Sequence, residues 1–191
     1  GVGLSVAWVT RSTQFRAADC DVIMDTIVDP EIQAERGLQV SVPYQQGGVA
    51  LAMRPDGTGT GAAGDLKRGQ RVGVMAGSIA HMILNRRGMT TIPFGFEDEM
   101  MAALGNGEID AAAASPASIG YFNLTHPQSG LRMTAIAGGE PDLSWNLAVG
   151  MRRSDGALRR EIDRAVERIL ADGTVRTIYA RYGIEHQAPG R

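Results

Sequence analysis

Residues 107–122, GEIDAAAASPASIGYF, constrain the fold of this chain more than any other stretch. A turn at Gly107 leads into a predicted strand of small apolar residues from Ile109 to Ala114, and a predicted helix begins after Ser115-Pro116. A strand that is apolar on both faces fits a sheet that is covered on both sides. The end of such a strand, where it meets a helix N-terminus, is where open α/β sheets bind ligands. The stretch therefore predicts both an α/β fold and a ligand site.

Predicted strands and helices alternate along the rest of the chain. Runs typical of strands occur at residues 4–9, 20–24, 39–41, 49–53, 71–75, 91–94, 131–136 and 143–151. Helices are predicted at 14–18, 29–36, 79–85, 96–104, 154–171 (with Ser154 as its cap) and 174–182. This alternation predicts an α/β protein with mostly parallel sheets.

Composition excludes several classes of function. The chain has 191 residues, which is enough to bury a sizeable core, and a net charge of −2 without a long basic run. This argues against a nucleic-acid partner. No apolar run reaches the roughly 18 residues of a membrane span. The chain starts at Gly1 without Met, which is typical of a mature or truncated form and leaves export open.

We expect no metal and no cofactor. Cys20 is the only cysteine, so a cysteine cluster is excluded, and it is predicted to be buried. The three histidines lie far apart in the sequence. A GxGxxG pattern occurs at 59–64, but Pro55-Asp56 interrupts the preceding strand, so we do not predict dinucleotide binding.

Five segments then occur in a characteristic order. They are CDVIM at 20–24, SVPY at 41–44, GDLKRGQRVGVMAGS at 64–78, EMMAALGNGEIDA at 99–111 and ADGTVRTIYARYGI at 171–184. Together they resemble the type II periplasmic solute-binding protein family over nearly the whole chain. The resemblance implies a periplasmic protein with two α/β lobes and a ligand cleft between them. Crossover strands at 49–53 and 147–151 would join lobe 1, residues 1–55 plus 145–191, to lobe 2, residues 56–144.

The resemblance also implies a set of ligand-cleft residues. Gly77, Ser78 and Ile79 open a predicted helix, whose free N–H groups and dipole favour an anion such as a carboxylate, although Ser78 could be a plain N-cap. Arg36 precedes SVPY and is similar, at a shorter spacing, to the arginine that clamps a ligand carboxylate in amino-acid-binding members. The alternative for Arg36 is a solvated helix end.

Four further residues belong to the predicted cleft. Tyr44 ends the SVPY segment and Gln46 lies two residues beyond it, and Tyr44 fits the core as well as a ligand platform. Tyr121 lies in the helix after Ser115. Amino-acid-binding members usually carry an Asp at the position of Ser115, to pair with the ligand ammonium. A buried ammonium without a carboxylate is costly, so Ser115 argues against an α-amino acid ligand.

A second departure concerns lobe 1. The first strand and helix of the family, which precede residues 4–9, have no counterpart in this sequence. We therefore expect an open strand edge in the lobe 1 sheet, which a second copy could fill as a dimer or by strand swapping.

One group within the family fits these departures. The segments GYF at 120–122, SWNLAVGMRRSD at 144–155 and YGI at 182–184 are similar to the accessory J proteins encoded with PQQ-dependent methanol dehydrogenases. This resemblance implies a non-enzymatic periplasmic factor that contacts a quinoprotein dehydrogenase. The alternative is the solute-binding component of an ABC importer for a small polar or anionic solute.

We predict no catalytic residues. Ser78 and His81 lie one helical turn apart but have no third orienting group, which makes them a weak nucleophile–base pair. The acidic residues 97–99 stand at a helix start, where the helix dipole favours acids, and are predicted to be solvated.

Overall fold

A computed structural model describes residues 5–6, 20–55, 66, 69–135, 143–152 and 156–190. The strands in these residues are β1 (Val22–Ile27), β2 (Leu38–Val40), β3 (Gln45–Gly48), β4 (Ala50–Met53), β5 (Arg71–Met75), β6 (Thr90–Phe94), β7 (Ala111–Ala114), β8 (Arg132–Ala135) and β9 (Ser144–Arg152). The helices are α1 (Pro30–Glu35), α2 (Ile79–Arg86), α3 (Glu97–Gly105), α4 (Pro116–Thr125), α5 (Gly156–Ala171) and α6 (Thr174–Arg181). The elements predicted at 4–9 and 14–18, and the predicted cap Ser154, lie outside the described residues.

Strand β9 is the centre of the first sheet, which we call sheet A. It pairs antiparallel with β1 on one edge and with β2 and β3 on the other. β3 pairs with the first half of β9, where Gln45 is opposite Leu147, and β2 pairs with the end, where Gln39 is opposite Met151. Each of the other described strands of sheet A therefore pairs with β9.

The second sheet, sheet B, has the strand order β6-β5-β7-β4-β8. β5 pairs parallel with β6 and β7, whereas β4 pairs antiparallel with β7 and β8. Each sheet thus has one strand, β9 or β4, that runs against all the others. All strands of a sheet except β9 or β4 run in one direction, which agrees with the prediction of mostly parallel sheets. The prediction is wrong for the pairings, because β9 and β4 lie inside their sheets and pair antiparallel with every neighbour.

The predicted strand at residues 20–24 needs correction. Its apolar residues are typical of a buried strand in a parallel sheet, but β1 begins at Val22 and its described neighbour, β9, is antiparallel. Val22 and Met24 are 36% and 61% exposed, and β1 lies at the edge of the described sheet. Cys20, expected to be buried, is only half-buried.

The all-alanine strand β7 confirms the prediction of a doubly covered strand. Ala112 and Ala114 pack in a cluster with buried residues of α3 and α4, whereas Ala113 packs in a second cluster with buried residues of α2. All four alanines of β7 are at most 5% exposed. Helices therefore cover both faces of sheet B, as the small apolar residues required.

The described C-terminal residues lie over the strands that connect the sheets. The chain leaves sheet A after β3 and enters sheet B at β4, with only Val49 between them. The Gln46 N–H donates to Gln187 O at 3.0 Å. Asn146 and Gly190 exchange two hydrogen bonds of 2.9 Å. Residues 187–190 are thus hydrogen-bonded to β3 and β9. The predicted lobe boundaries stay a prediction.

Candidate ligand-binding site

Three helices of sheet B begin at one edge. Because β5, β6 and β7 run parallel, their carboxyl ends meet there, and α2, α3 and α4 start directly after them. α2 packs on one face of the sheet and α3 and α4 on the other. The chain thus leaves the adjacent strands β5 and β7 toward opposite faces. Open α/β sheets bind ligands in a crevice at such a point, so we expect a crevice between these strand ends, with Ser78 at one side and Ser115 at the other.

Hydrogen-bond donors lie on the α2 side of the crevice. Gly77 has a φ of 74°, which suits glycine, and turns the chain into the helix. Ser78 is the N-cap: its Oγ accepts from the His81 N–H at 3.1 Å. The first N–H groups of a helix, here those of Ile79 and Ala80, have no carbonyl partner within it. The start of α2 is therefore suited to an anion; the predicted cap is confirmed, and anion binding by residues 77–79 stays a prediction.

Hydrogen-bond acceptors lie on the α4 side. Ser115 is the N-cap of α4, and its Oγ accepts from the Ser118 N–H at 3.1 Å. The two serine hydroxyl oxygens are 2.7 Å apart, and Ser118 Oγ donates to Glu97 Oε2. Glu97 is the first residue of α3 and is half-buried. The interpretation of this acid as simply solvated is wrong, because Ser118 of the neighbouring helix binds it.

The other predicted cleft residues lie elsewhere. Arg36 is exposed at the C-cap of α1. Tyr44 is 5% exposed in the core next to Val149 and Met151, and its hydroxyl donates to Asp25. Tyr44 is therefore a core residue, which was the alternative to a ligand platform. The carboxylate clamp at Arg36 stays a prediction.

Gln46 and Tyr121 also lie outside the crevice between Ser78 and Ser115. Gln46 lies under the C-terminal residues, since its N–H donates to Gln187 O at 3.0 Å. Tyr121 is 51% exposed on α4, with its ring centroid 6.3 Å from that of Tyr182. A ligand role for either residue stays a prediction.

Neither a metal centre nor a membrane span is found in the part of the chain that the structure describes. Among those residues, no group of three or more His, Cys, Asp or Glu side chains is arranged to hold a metal ion. None of the described helices has the length and apolar character needed to cross a bilayer.

Two α/β sheets, joined by strands that cross between them, define the type II periplasmic-binding-protein fold. Residues 4–185 match the family of bacterial extracellular solute-binding proteins, family 3, and the chain belongs to that family. The resemblance inferred from the five sequence segments is thereby confirmed at the level of the family. The closer likeness to the accessory J proteins stays a prediction.

Individual relatives are distant. The chain is 23% identical over 182 residues to a probable histidine-binding protein of Neisseria gonorrhoeae, which covers 92% of this chain and 65% of that protein. It thus spans about two thirds of that curated relative. The L-cystine solute receptor of Neisseria gonorrhoeae, in its unliganded open conformation, matches with a TM-score of 0.75 and 16% identity, over 98% of this chain and 77% of the receptor. An ancestral cationic amino acid solute-binding protein matches with a TM-score of 0.73 and 17% identity, over 87% and 70%. These structural likenesses show the fold.

Proposed function

We propose that this chain is the solute-binding component of a bacterial ABC importer and that it holds a small carboxylate-bearing solute in the crevice between Ser78 and Ser115. The observation that carries the proposal is the start of α2, where backbone donors and the positive end of the helix dipole meet the crevice. Membership of an extracellular solute-binding family supports it, and a periplasmic location is part of the proposal.

The proposal includes no catalysis. Ser78 Oγ accepts from the His81 backbone N–H, and His81 Nδ1 accepts from the Gly77 N–H at 3.2 Å. Among the described contacts the imidazole is therefore engaged with the backbone and does not take the proton of the Ser78 hydroxyl, as nucleophilic catalysis would require.

Calorimetric titration with amino acids, small carboxylic acids and amines that lack a carboxylate tests the proposal. We expect binding of carboxylate-bearing solutes only. Ser78→Ala removes a hydroxyl from the site, so we expect about tenfold weaker binding, the usual effect of losing one hydrogen bond to a charged group. Loss of the cap should also lower the free energy of unfolding by about 1 kcal/mol.

Asp29→Ala is the matched control for Ser78→Ala. Asp29 Oδ1 caps α1 by accepting from Glu31 N and Ile32 N at 2.9 and 3.1 Å. This variant should lose similar stability, about 1 kcal/mol, and keep the affinity. Unchanged affinity in Ser78→Ala, or binding of the amines alone, would contradict the proposed anion site.

A second candidate function, which we also propose for testing, is contact with a periplasmic quinoprotein dehydrogenase as an accessory factor. The observation that favours it is an exposed apolar patch where α4 meets the end of α6. Tyr121, Leu124 and Tyr182 are 51%, 47% and 52% exposed there. Tyrosines at such a patch are typical of protein interfaces.

A pull-down with a purified PQQ-dependent methanol dehydrogenase tests this second candidate. We expect the wild type to capture the dehydrogenase and the double variant Tyr121→Ala/Tyr182→Ala to lose it, because aromatic anchors carry much of the energy of an interface. Met82→Ala is the control, since Met82 is 55% exposed but lies on α2, away from the patch. Absence of capture, or equal capture by the double variant, would rule out contact through this patch.

A further inference from the structure

We infer that the outer edge of β2 binds an extended segment of a partner protein, which adds to sheet A as a further strand and carries an acidic residue between apolar ones. This inference goes beyond solute binding, because it concerns sheet A and not the start of α2. The site is a groove of about 430 Å³, which we call the edge groove. Residues of β2, α1 and α5 line it: Leu38, Gln39, Val40, Gln33 and Arg159.

The backbone of Val40 points into the edge groove. In an antiparallel pair, residues that exchange hydrogen bonds with the partner strand alternate with residues whose N–H and C=O point to the other edge. The Ser41 N–H donates to Val149 O of β9 at 2.9 Å, which fixes this alternation. Val40 therefore directs both its groups away from β9. β2 is the last strand of the described sheet on that side.

Protein groups cover the same edge further along the chain. The Val42 N–H donates to Asp163 Oδ1 of α5 at 2.8 Å. The Gln46 N–H donates to Gln187 O at 3.0 Å, where the C-terminal residues run beside β3. Among the described contacts, the outward groups of Val40 have no such partner. An extended peptide that pairs with this edge would supply it.

The two walls of the edge groove differ in chemistry. Gln39 is opposite Met151, which packs in a cluster with buried and half-buried residues of α5, so Gln39 lies on the same side as Arg159. Leu38 and Val40 alternate with Gln39 and lie on the other side, where α1 packs on β2. Successive side chains of an added strand would also point to opposite sides. The groove therefore fits a strand whose acidic residue faces α5 and whose apolar neighbours face α1.

Two polar side chains of the groove favour a ligand that brings hydrogen-bond acceptors. The side chain of Arg159 is 47% exposed, and its recorded ion pair, from Nε to Asp163 Oδ2, is 3.6 Å long and thus beyond hydrogen-bond range. A guanidinium has five N–H donors, so Arg159 can bind a further carboxylate. On the α1 side, Gln33 Nε2 is buried without a partner among the described residues. A carbonyl oxygen of an inserted chain would offer this amide an acceptor.

A second copy of this chain fits the edge groove less well than a free segment. Its own β2 lies between α1 and α5 in the same way, so the flanking helices of the two copies would meet before their strands pair. Residues Leu38–Val40 also contain no acid that could bind Arg159. A segment of another protein, extended and without flanking helices, meets both requirements.

Fluorescence anisotropy with a labelled, end-capped peptide Thr-Val-Glu-Val-Thr tests the inference. We expect the wild type to bind this peptide, and to bind the same peptide with Gln in place of Glu about tenfold more weakly, as loss of a charge-assisted contact should give. Arg159→Gln should remove the difference between the two peptides. Arg164→Gln is the matched control on the same helix, since Arg164 pairs with Glu161 at 2.6 Å and does not line the groove. It should leave the difference unchanged.

Methylation of the peptide nitrogens tests whether the ligand pairs as a strand. Successive N–H groups of an extended peptide point to opposite edges, and only one edge can face β2. Of two peptides, one methylated at the Glu nitrogen and one at both Val nitrogens, one should lose binding and the other keep it. Val40→Pro removes the outward N–H, a change that an edge strand tolerates, and should weaken binding about fivefold.

The outcomes separate this inference from the proposed solute binding, which they leave in place. Absence of peptide binding, equal binding of the Glu and Gln peptides, or equal binding of the two methylated peptides would overturn the inference. Binding of N-acetyl-glutamate amide as tight as that of the peptide would assign the groove to a small carboxylate instead. A wild-type dimer that Val40→Pro dissociates would assign the edge to a second copy. If Val40→Pro does not fold, the methylated peptides decide, because they leave the protein unchanged.

Discussion

Leu104→Ala is expected to lower the free energy of unfolding by about 3 kcal/mol, because it empties a fully enclosed site in the core. Leu104, at the end of α3, is 0% exposed and packs in the cluster that contains Met100, Ile119 and Leu131. Urea denaturation followed by circular dichroism measures the change, provided that the dependence on urea concentration is the same in both proteins.

Leu124→Ala is the matched control for this prediction. It deletes the same atoms from a leucine that is 47% exposed on α4. The free energy of unfolding should change by at most about 0.5 kcal/mol there. A loss below about 1 kcal/mol at Leu104 would contradict the packing between α3, α4 and sheet B.

The second large effect is a loss of stability in alkaline solution. Burial, and next the hydrogen bond to Asp25 and its charge, raise the pKa of Tyr44 above its ordinary value of 10.0. Burial raises the pKa of Tyr179 to about 12. Both groups therefore stay protonated in the folded state at a pH where they ionise in the unfolded chain. Their contribution is fully present below pH 10, and each tyrosine then removes up to about 1.4 kcal/mol per pH unit until its folded pKa is reached.

Tyr44→Phe isolates the contribution of Tyr44. Stability measured by urea denaturation at pH 9, 10 and 11 should fall less steeply in the variant, by about 1.4 kcal/mol per unit above pH 10. At pH 7 the variant should be about 1–3 kcal/mol less stable, because the Asp25 N–H, which donates to the Tyr44 hydroxyl at 2.9 Å, loses its acceptor. Other groups with ordinary pKa values in this range, Lys67 among them, are present in both proteins and cancel in the comparison. Equal slopes for both proteins would show that Tyr44 ionises normally in the fold.

Elements with local signals were predictable from the sequence. The run RVGVM gave β5 at Arg71–Met75, and Ser78 marked the start of α2. Asp29-Pro30 marked the start of α1, where Asp29 caps the helix and Pro30 is its first residue. In each case the residues that form the signal also make the contacts that fix the boundary.

Strand β3 shows what the sequence did not reveal. Gln45–Gly48 has no apolar alternation and was not predicted as a strand. These residues form a strand because they pair with β9. The pairing also requires glycine, since a Cβ on Gly47 would come within 2.9 Å of Leu147 Cδ1, and a Cβ on Gly48 within 2.6 Å of Leu143 O. Those partners are about a hundred positions away in the sequence, so only the folded chain shows why glycine is needed there.

The candidate site was predictable only where the signal is local. Gly77-Ser78 and Ser115-Pro116 predict two helix starts, and the structure places both at one edge of sheet B. The link between Glu97 and Ser118 joins two helices and leaves no pattern in either segment. A first-turn acid and a serine three residues after an N-cap are too common, taken separately, to indicate a partnership.

The central place of β9 has a consequence for synthesis of the chain. Every described strand of sheet B lies between residues 50 and 135, so this sheet can form while later residues are still being translated. β1, β2 and β3 are made first, yet in the described sheet each of them pairs only with β9, whose residues 144–152 come about a hundred positions later. Nascent chains generally fold from the N-terminus onward. Here the middle of the sequence can fold first, and residues 22–48 stay without these backbone partners until β9 has left the ribosome.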